Sequence, residues 1–183
     1  SALTNATLAT YRDHRSLEVA PQTVKHEINL VRRVIKLAIA EWGLGIAEVP
    51  YVRLPRLPSG RERRLEPEEI NALLLCLGDQ MRDIVSFALE TAMRRSEILC
   101  LARGDFDAQN KTVTLRDTKN GRPRTIPLSS TALGILNRRT EDGTIFTMQP
   151  DSVSQALRRA CHKLELKDYR FHDLRHEAIS RLF

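Results

Sequence analysis

Long hydrophobic runs, internal repeats and low-complexity tracts are all missing from this sequence. No apolar run approaches the roughly 20 residues that a membrane-spanning helix needs. No segment has the charged-then-apolar pattern of a secretory signal. These absences argue against a membrane partner and predict a cytoplasmic protein, or a nuclear one if the source has a nucleus.

Cysteine is also scarce. The three cysteines, Cys76, Cys100 and Cys161, are odd in number and widely spaced, which is not typical of a disulfide framework. Each lies on an apolar helical pattern, so we predict reduced core residues in a reducing compartment. A thiol nucleophile remains an alternative, but nothing around these residues indicates a lowered pKa.

The composition is otherwise ordinary, with 42% apolar and 28% charged residues in a chain of 183. This length allows one ordinary domain or two small ones with a real core. The formal net charge of +6 and the pI near 9.6 favour a polyanionic partner, of which nucleic acid is the usual one.

Two amphipathic helices are predicted in residues 1–49, from Leu3 to about Ser16 and from Pro21 to Gly43. The second has one apolar stripe at helical spacing, formed by Val24, Ile28, Val31, Ile35, Ala38 and Trp42. Two helices of this size do not complete a domain, so we expect a domain truncated at its N-terminus.

Residues 50–64 contain three prolines and a glycine, which forbid a regular helix. We interpret this segment as an interdomain linker. Its five arginines are Arg53, Arg56, Arg61, Arg63 and Arg64. They form either a basic spacer kept in solution by its charge or a strap along a DNA phosphate backbone, where each neutralised phosphate adds to a salt-sensitive affinity.

A second domain is predicted over residues 65–183, mainly α-helical with a small antiparallel β-hairpin or sheet (α+β). Pro67 with its acidic neighbours indicates a helix start. Two strands with period-two alternation flank Asn120-Gly121, a strong hairpin turn. The predicted elements are helices over 67–77, 80–91, 94–101, 130–139, 151–164 and 172–183, and strands over 112–115 and 124–128.

Three segments of this domain carry residues suited to chemistry on phosphate. The first contains Arg94 in Ala-Met-Arg-Arg-Ser-Glu, the second contains Lys119 in Thr-Lys-Asn-Gly, and the third is Phe-His-Asp-Leu-Arg-His with His172 and Arg175. Each motif is weak alone, but their order, spacing and structural context together are specific.

The three motifs resemble the landmarks of the tyrosine-type site-specific DNA recombinases, the phage integrase family. The resemblance covers essentially the whole chain. It implies a partial helical core-binding domain at 1–49 and a catalytic domain at 65–183 that is truncated at its C-terminus. It also implies double-stranded DNA as the partner, strand cleavage and rejoining through a 3′-phosphotyrosyl intermediate, and a tetramer acting on paired sites.

The resemblance assigns a catalytic role to four residues. Arg94 and Arg175 would meet the negative charge on the non-bridging phosphate oxygens, because guanidinium groups offer paired donors and stay protonated. With two such arginines we expect neither a metal nor another cofactor. Lys119 would be the general acid for the 5′-oxygen leaving group. Its rivals are Lys111, Arg122 and Arg124.

His172 would help to move the proton of the nucleophile or contact the phosphate. It lies three residues before Arg175 and so shares its helix face, whereas Leu174 and Ala178 point towards the core. Glu97, one turn after Arg94, is assigned a supporting role that orients this arginine; a surface ion pair is the alternative.

Two arrangements in the sequence could suggest metal sites, and the surrounding residues favour neither. His172 and His176 have the spacing of a metal pair, but a third ligand is not evident, and we interpret His176 as structural. Asp105 and Asp107 are predicted to cap or form a turn before the first strand.

The family's nucleophilic tyrosine follows the His-x-x-Arg motif, whereas Tyr11, Tyr51 and Tyr169 all precede Arg175. We therefore expect this chain alone to bind DNA as a monomer without cutting it. The alternatives are a type IB topoisomerase-like enzyme, a non-catalytic DNA-binding module, and a basic α+β domain whose motifs are accidental. A structure that separates Arg94 from Arg175 would favour the last of these.

Overall fold

The computed structural model describes residues 3–43, 45–46, 48–58, 64–116, 121–139 and 143–181. The chain divides into two compact units, Ser1–Arg61 and Glu62–Phe183. The boundary between the units falls inside the 50–64 segment that we predicted as a linker.

The N-terminal unit contains two helices, α1 (Asn5–Arg15) and α2 (Pro21–Trp42). The Thr4 hydroxyl caps α1 by accepting from the Thr7 N–H at 3.2 Å. Gly43 ends α2 in the left-handed conformation with a φ of 62°, which glycine adopts without strain. A small core of Leu8, Val24, Ile28 and Val52 joins the two helices to the segment that follows α2.

The predicted α2 stripe is correct at four of its six positions. Val24, Ile28, Ile35 and Ala38 are buried, whereas Val31 is half-buried. The prediction that Trp42 is buried was wrong: it is the last residue of the helix, and 66% of it is exposed.

The first part of the predicted linker packs on the N-terminal helices. The Tyr51 N–H donates to the Asn5 side-chain oxygen at 2.7 Å, and the Arg12 guanidinium donates to the Arg53 carbonyl at 2.9 Å. Val52 between them is buried. These contacts hold residues 51–53 against α1 within the first of the two units.

The second unit is built from six helices among the residues described. They are α3 (Pro67–Cys76), α4 (Asp79–Thr91), α5 (Arg95–Leu99), α6 (Ser130–Arg138), α7 (Pro150–Lys163) and α8 (Phe171–Ser180). α3 begins where predicted, and the Glu69 carboxylate accepts from the Glu66 N–H at 3.0 Å. α4 is central, with Ile84, Phe87 and Ala88 fully buried, and it packs against α6 and α8.

A three-stranded antiparallel sheet adjoins these helices, with β1 (Phe106–Asp107), β2 (Thr112–Leu115) and β3 (Arg124–Pro127) in that order. β2 and β3 are the two predicted strands, and Leu115 pairs with Arg124 at the end of their ladder. β1 was not predicted, because two residues are too few to show alternation.

The two aspartates near β1 have local roles. Asp105 accepts from the Ala102 N–H at 3.1 Å in a short 3₁₀ helix, and Asp107 accepts from the Asn110 N–H at 3.0 Å in the turn between β1 and β2. The predicted capping and turn roles are therefore confirmed.

The predicted fold class, mainly helical with a small antiparallel sheet, is confirmed. None of the three cysteines, all of which the structure describes, forms a disulfide bond; Cys161 is buried as predicted and Cys76 is half-buried. The prediction was wrong for Cys100, which is exposed at the C-terminal cap of α5. In the part of the chain that the structure describes, no helix has both the length and the apolar character to span a membrane.

Candidate functional site

Arg94 lies at a sharp turn between two helices. α4 is capped at its C-terminus by Ala92, which has the left-handed φ of 51° that is uncommon for a residue with a side chain. Arg94 then takes the N-cap position of α5. Its backbone N–H donates to Glu97 Oε2 at 2.8 Å, and its guanidinium Nη1 donates to Glu97 Oε1, also at 2.8 Å. The carboxylate thus fixes both the turn and the direction of the Arg94 side chain.

Sequence reasoning raised Arg124 only as a rival of Lys119 and missed its contact with the same carboxylate. Arg124 opens β3, and its Nη2 donates to Glu97 Oε2 at 2.8 Å. The Glu97 side chain is only 6% exposed, whereas those of Arg94 and Arg124 are 33% and 36% exposed. Alternation along β3 indicates the face on which Arg124 lies, but no local pattern shows a contact between residues 27 positions apart.

The electrostatics follow from this arrangement. Burial alone would raise the pKa of Glu97, but the Arg94 N–H, the Arg94 guanidinium and the Arg124 charge outweigh it and hold that pKa below its ordinary value. The pKa of Arg175 is lowered, first by burial and then by repulsion from Arg94; the Glu97 charge opposes this shift and the Arg124 charge adds to it. Three guanidinium groups and one carboxylate are therefore electrostatically coupled.

α8 brings Arg175 to this cluster. Leu174 and Ala178 are buried as predicted and hold the helix against the core. Arg175 Nη1 donates to the carbonyl of Ala92, 83 residues earlier, so α8 is tied to the turn that precedes Arg94. Arg94 and Arg175 therefore lie in one site, contrary to the reading in which the motifs are accidental.

His172 is exposed on the same helix. Its ring contacts that of His176 edge-on, with the centroids 4.9 Å apart and the planes at 88°. Among the residues described, no group of three or more His, Cys, Asp and Glu side chains is placed to hold a metal ion.

The two motif arginines and His172 face one cleft of about 1300 Å³. Its lining includes Arg94, His172 and Arg175, together with residues from α7 and from the loop before α8. Two exposed side chains of α7, Arg158 and His162, belong to the same lining. The cleft therefore presents positive charge and hydrogen-bond donors suited to a phosphate.

Tyr169 also lines the cleft but is 7% exposed. Burial, with the nearby carboxylates of Glu177 and Asp173, raises the pKa of its hydroxyl above the ordinary value. A buried phenol that resists ionisation is a poor nucleophile, in line with its exclusion on sequence grounds.

The other predicted site residues are Lys119 and the five arginines of the 50–64 segment. Lys119, Arg61 and Arg63 lie outside the described residues. Arg53, Arg56 and Arg64 are described, and all three are exposed.

The chain is similar to known recombinases and integrases. It is 37% identical over 195 residues to a shufflon-specific DNA recombinase of Escherichia coli, which covers 99% of this chain and 51% of that protein. It is 33% identical over 180 residues to an integrase/recombinase of Haemophilus influenzae, named as putative, with 90% and 59% covered. The chain thus spans about half the length of the curated relatives it matches.

The fold matches the Tn1549 transposon integrase in its complex with circular intermediate DNA. The TM-score is 0.81 at 16% sequence identity, over 100% of this chain and 73% of that one. The sequence model of the phage integrase family matches residues 63–183, which is more than half of the chain and contains Arg94, Arg175 and the cleft between them. The chain therefore belongs to the phage integrase family, as the three motifs predicted.

Proposed function

We propose that this protein is a site-specific DNA recombinase that cuts and rejoins strands through a 3′-phosphotyrosyl intermediate. The observation that carries the proposal is the meeting of Arg94, His172 and Arg175 in one cleft, although their motifs are about 80 residues apart in the chain. The family and the names of its relatives support the same activity.

The two arginines act on the scissile phosphate. Their guanidinium groups bind the non-bridging oxygens, where negative charge grows during attack. Glu97 orients Arg94 through two hydrogen bonds, and Ala92 fixes Arg175. Both groups are therefore set in direction before the substrate arrives, which is the condition under which such donors stabilise a transition state.

Proton transfer is assigned to two residues. A tyrosine oxygen attacks phosphorus and forms the phosphotyrosyl ester, while the 5′-oxygen leaves and takes a proton from Lys119. His172 assists the loss of the tyrosine proton or binds the phosphate, and its exposure in the cleft leaves it accessible to either partner.

The sequence of 183 residues has no tyrosine after Arg175. For a polypeptide of these residues alone we propose DNA binding as a monomer, without cleavage. The arginines of the 50–64 segment contribute contacts to the phosphate backbone. Of these, Arg53, Arg56 and Arg64 are described and exposed. The complete enzyme would act as a tetramer on paired sites, and light scattering tests the monomer directly.

Fluorescence anisotropy with a labelled duplex at several salt concentrations tests the binding site. Each lost phosphate contact lowers the slope of log affinity against log salt by about 1. The Arg94→Ala/Arg175→Ala double variant is expected to lower it by about 2. Arg138→Ala is the matched control, because this exposed arginine pairs with Asp83 and does not line the cleft. Equal slopes for the wild type and the double variant would refute the phosphate role.

Cleavage is tested separately with a nicked duplex and a denaturing gel. We expect no covalent adduct from the 183-residue chain. An adduct that survives denaturation would show that one of its own tyrosines is the nucleophile, and the proposal of binding without cleavage would then be wrong.

A further inference from the structure

The Glu97 carboxylate is shared between two guanidinium groups that come from different elements. Oε1 accepts from Arg94 Nη1, and Oε2 accepts from both the Arg94 N–H and Arg124 Nη2, each at 2.8 Å. The contacts to Arg94 are local to α5. The contact to Arg124 reaches across to the sheet and has no counterpart in the three sequence motifs.

Arg124 lies at a particular point of the β-hairpin. It is the first residue of β3, and its partner Leu115 is the last residue of β2, so this pair closes the ladder next to the connection between the strands. Lys119 belongs to that connection by sequence. The Arg124–Glu97 ion pair therefore connects the Leu115–Arg124 pair, the last β2–β3 pair before Lys119, to α5.

The charges of the cluster give Arg124 a second effect. If Glu97 paired with Arg94 alone, the negative charge of Glu97 would offset the positive charge that Arg94 offers to a phosphate. The cluster contains three positive guanidinium groups, those of Arg94, Arg124 and Arg175, and one negative carboxylate, that of Glu97. Its net charge at neutral pH is therefore about +2. A phosphodiester carries one negative charge, and attack at phosphorus develops another on its oxygens, so a surplus of this size matches the transition state.

The geometry points to Arg124 as a positioning residue of the phosphate site. It binds Glu97, keeps the charge of Arg94 available to the phosphate, and anchors the hairpin arm that leads to Lys119. It acts through Glu97 and not by touching the substrate. The inference rests on the proposed phosphate role of Arg94 and Arg175.

A double-mutant cycle separates action through Glu97 from direct contact with DNA. The variants are Arg124→Ala, Glu97→Gln and the two together, each measured for duplex affinity by anisotropy well below its melting temperature. We expect Arg124→Ala to weaken binding about tenfold in the wild type, the loss typical of one charge-assisted interaction. In the Glu97→Gln background the same change is expected to weaken binding less than about twofold, because no carboxylate then competes for Arg94.

Two further variants complete the design. Arg124→Lys keeps the charge and one donor, so it is expected to restore most of the affinity lost in Arg124→Ala. Arg116→Ala removes a nearby arginine that pairs with Asp105 and not with Glu97. It is expected to show the same effect in both backgrounds, because it does not act through Glu97.

The outcomes are distinct. Equal tenfold losses in both backgrounds would mean that Arg124 contacts the phosphate directly and would overturn the inference. A lower melting temperature with unchanged affinity would reduce Arg124 to a structural role and overturn it as well. If Arg94→Ala leaves the salt slope unchanged, the proposed function itself fails, whatever the result at Arg124.

Discussion

Replacing Glu97 with glutamine is expected to destabilise the second unit strongly. The substitution keeps the volume but leaves an amide N–H₂ group facing a guanidinium, so at least one bond to Arg94 or Arg124 is lost. Breaking a fully buried ion pair typically costs about 3–5 kcal/mol. Here both arginines are one third exposed, and water can replace part of the lost interaction. We therefore expect a loss of about 2–3 kcal/mol.

The effect has a defined pH dependence. Because the folded-state pKa of Glu97 lies below its ordinary value of 4.5, its stabilisation is fully present above that value and is lost as the pH falls through the folded-state pKa. The difference in stability between the wild type and Glu97→Gln is therefore largest near neutral pH and shrinks in acid.

Thermal unfolding followed by circular dichroism at several pH values measures both effects. For a unit of this size, about 2–3 kcal/mol corresponds to a fall in Tm of roughly 10 °C at neutral pH. Glu68→Gln is the control, because Glu68 is exposed on α3, and it is expected to change stability by less than about 0.5 kcal/mol. A gap between wild type and Glu97→Gln that stays constant down to acid pH would refute the assignment of a buried, ionised carboxylate.

Three smaller predictions concern stability and are checked by Tm. Tyr169→Phe is expected to be neutral or stabilising by up to about 1 kcal/mol, because the buried hydroxyl has no hydrogen-bond partner within the described ranges; a loss above 1 kcal/mol would reveal a partner. Ala92→Gly is expected to stabilise by a few tenths to about 1 kcal/mol, since it relieves a left-handed backbone. Gly43→Ala is expected to cost about 1 kcal/mol at the end of α2, where open space surrounds the site and only the φ of 62° opposes a side chain.

Much of the fold is predictable because its signals are local. Pro21 and Gly43 bound α2, and Pro67 starts α3, at the positions that backbone chemistry dictates. The period-two pattern of β2 and β3 identifies the sheet. Burial at the ends of helices is less predictable, because an apolar pattern within one helix does not indicate where the element that packs on it ends. Trp42 and Cys100 lie at such ends, and both are exposed.

The site divides along the same line between local and distant contacts. The pairing of Arg94 with Glu97 is a contact between residues three positions apart, so helical geometry alone suggests it. The bond from Arg175 to Ala92 and the bond from Arg124 to Glu97 span 83 and 27 residues. Sequence spacing predicts neither of these two hydrogen bonds. Only the resemblance to the family indicated that Arg175 lies beside Arg94. Arg124 entered that resemblance only as a rival of Lys119 for the general acid, and no local sequence rule indicates that its guanidinium reaches the Glu97 carboxylate from β3.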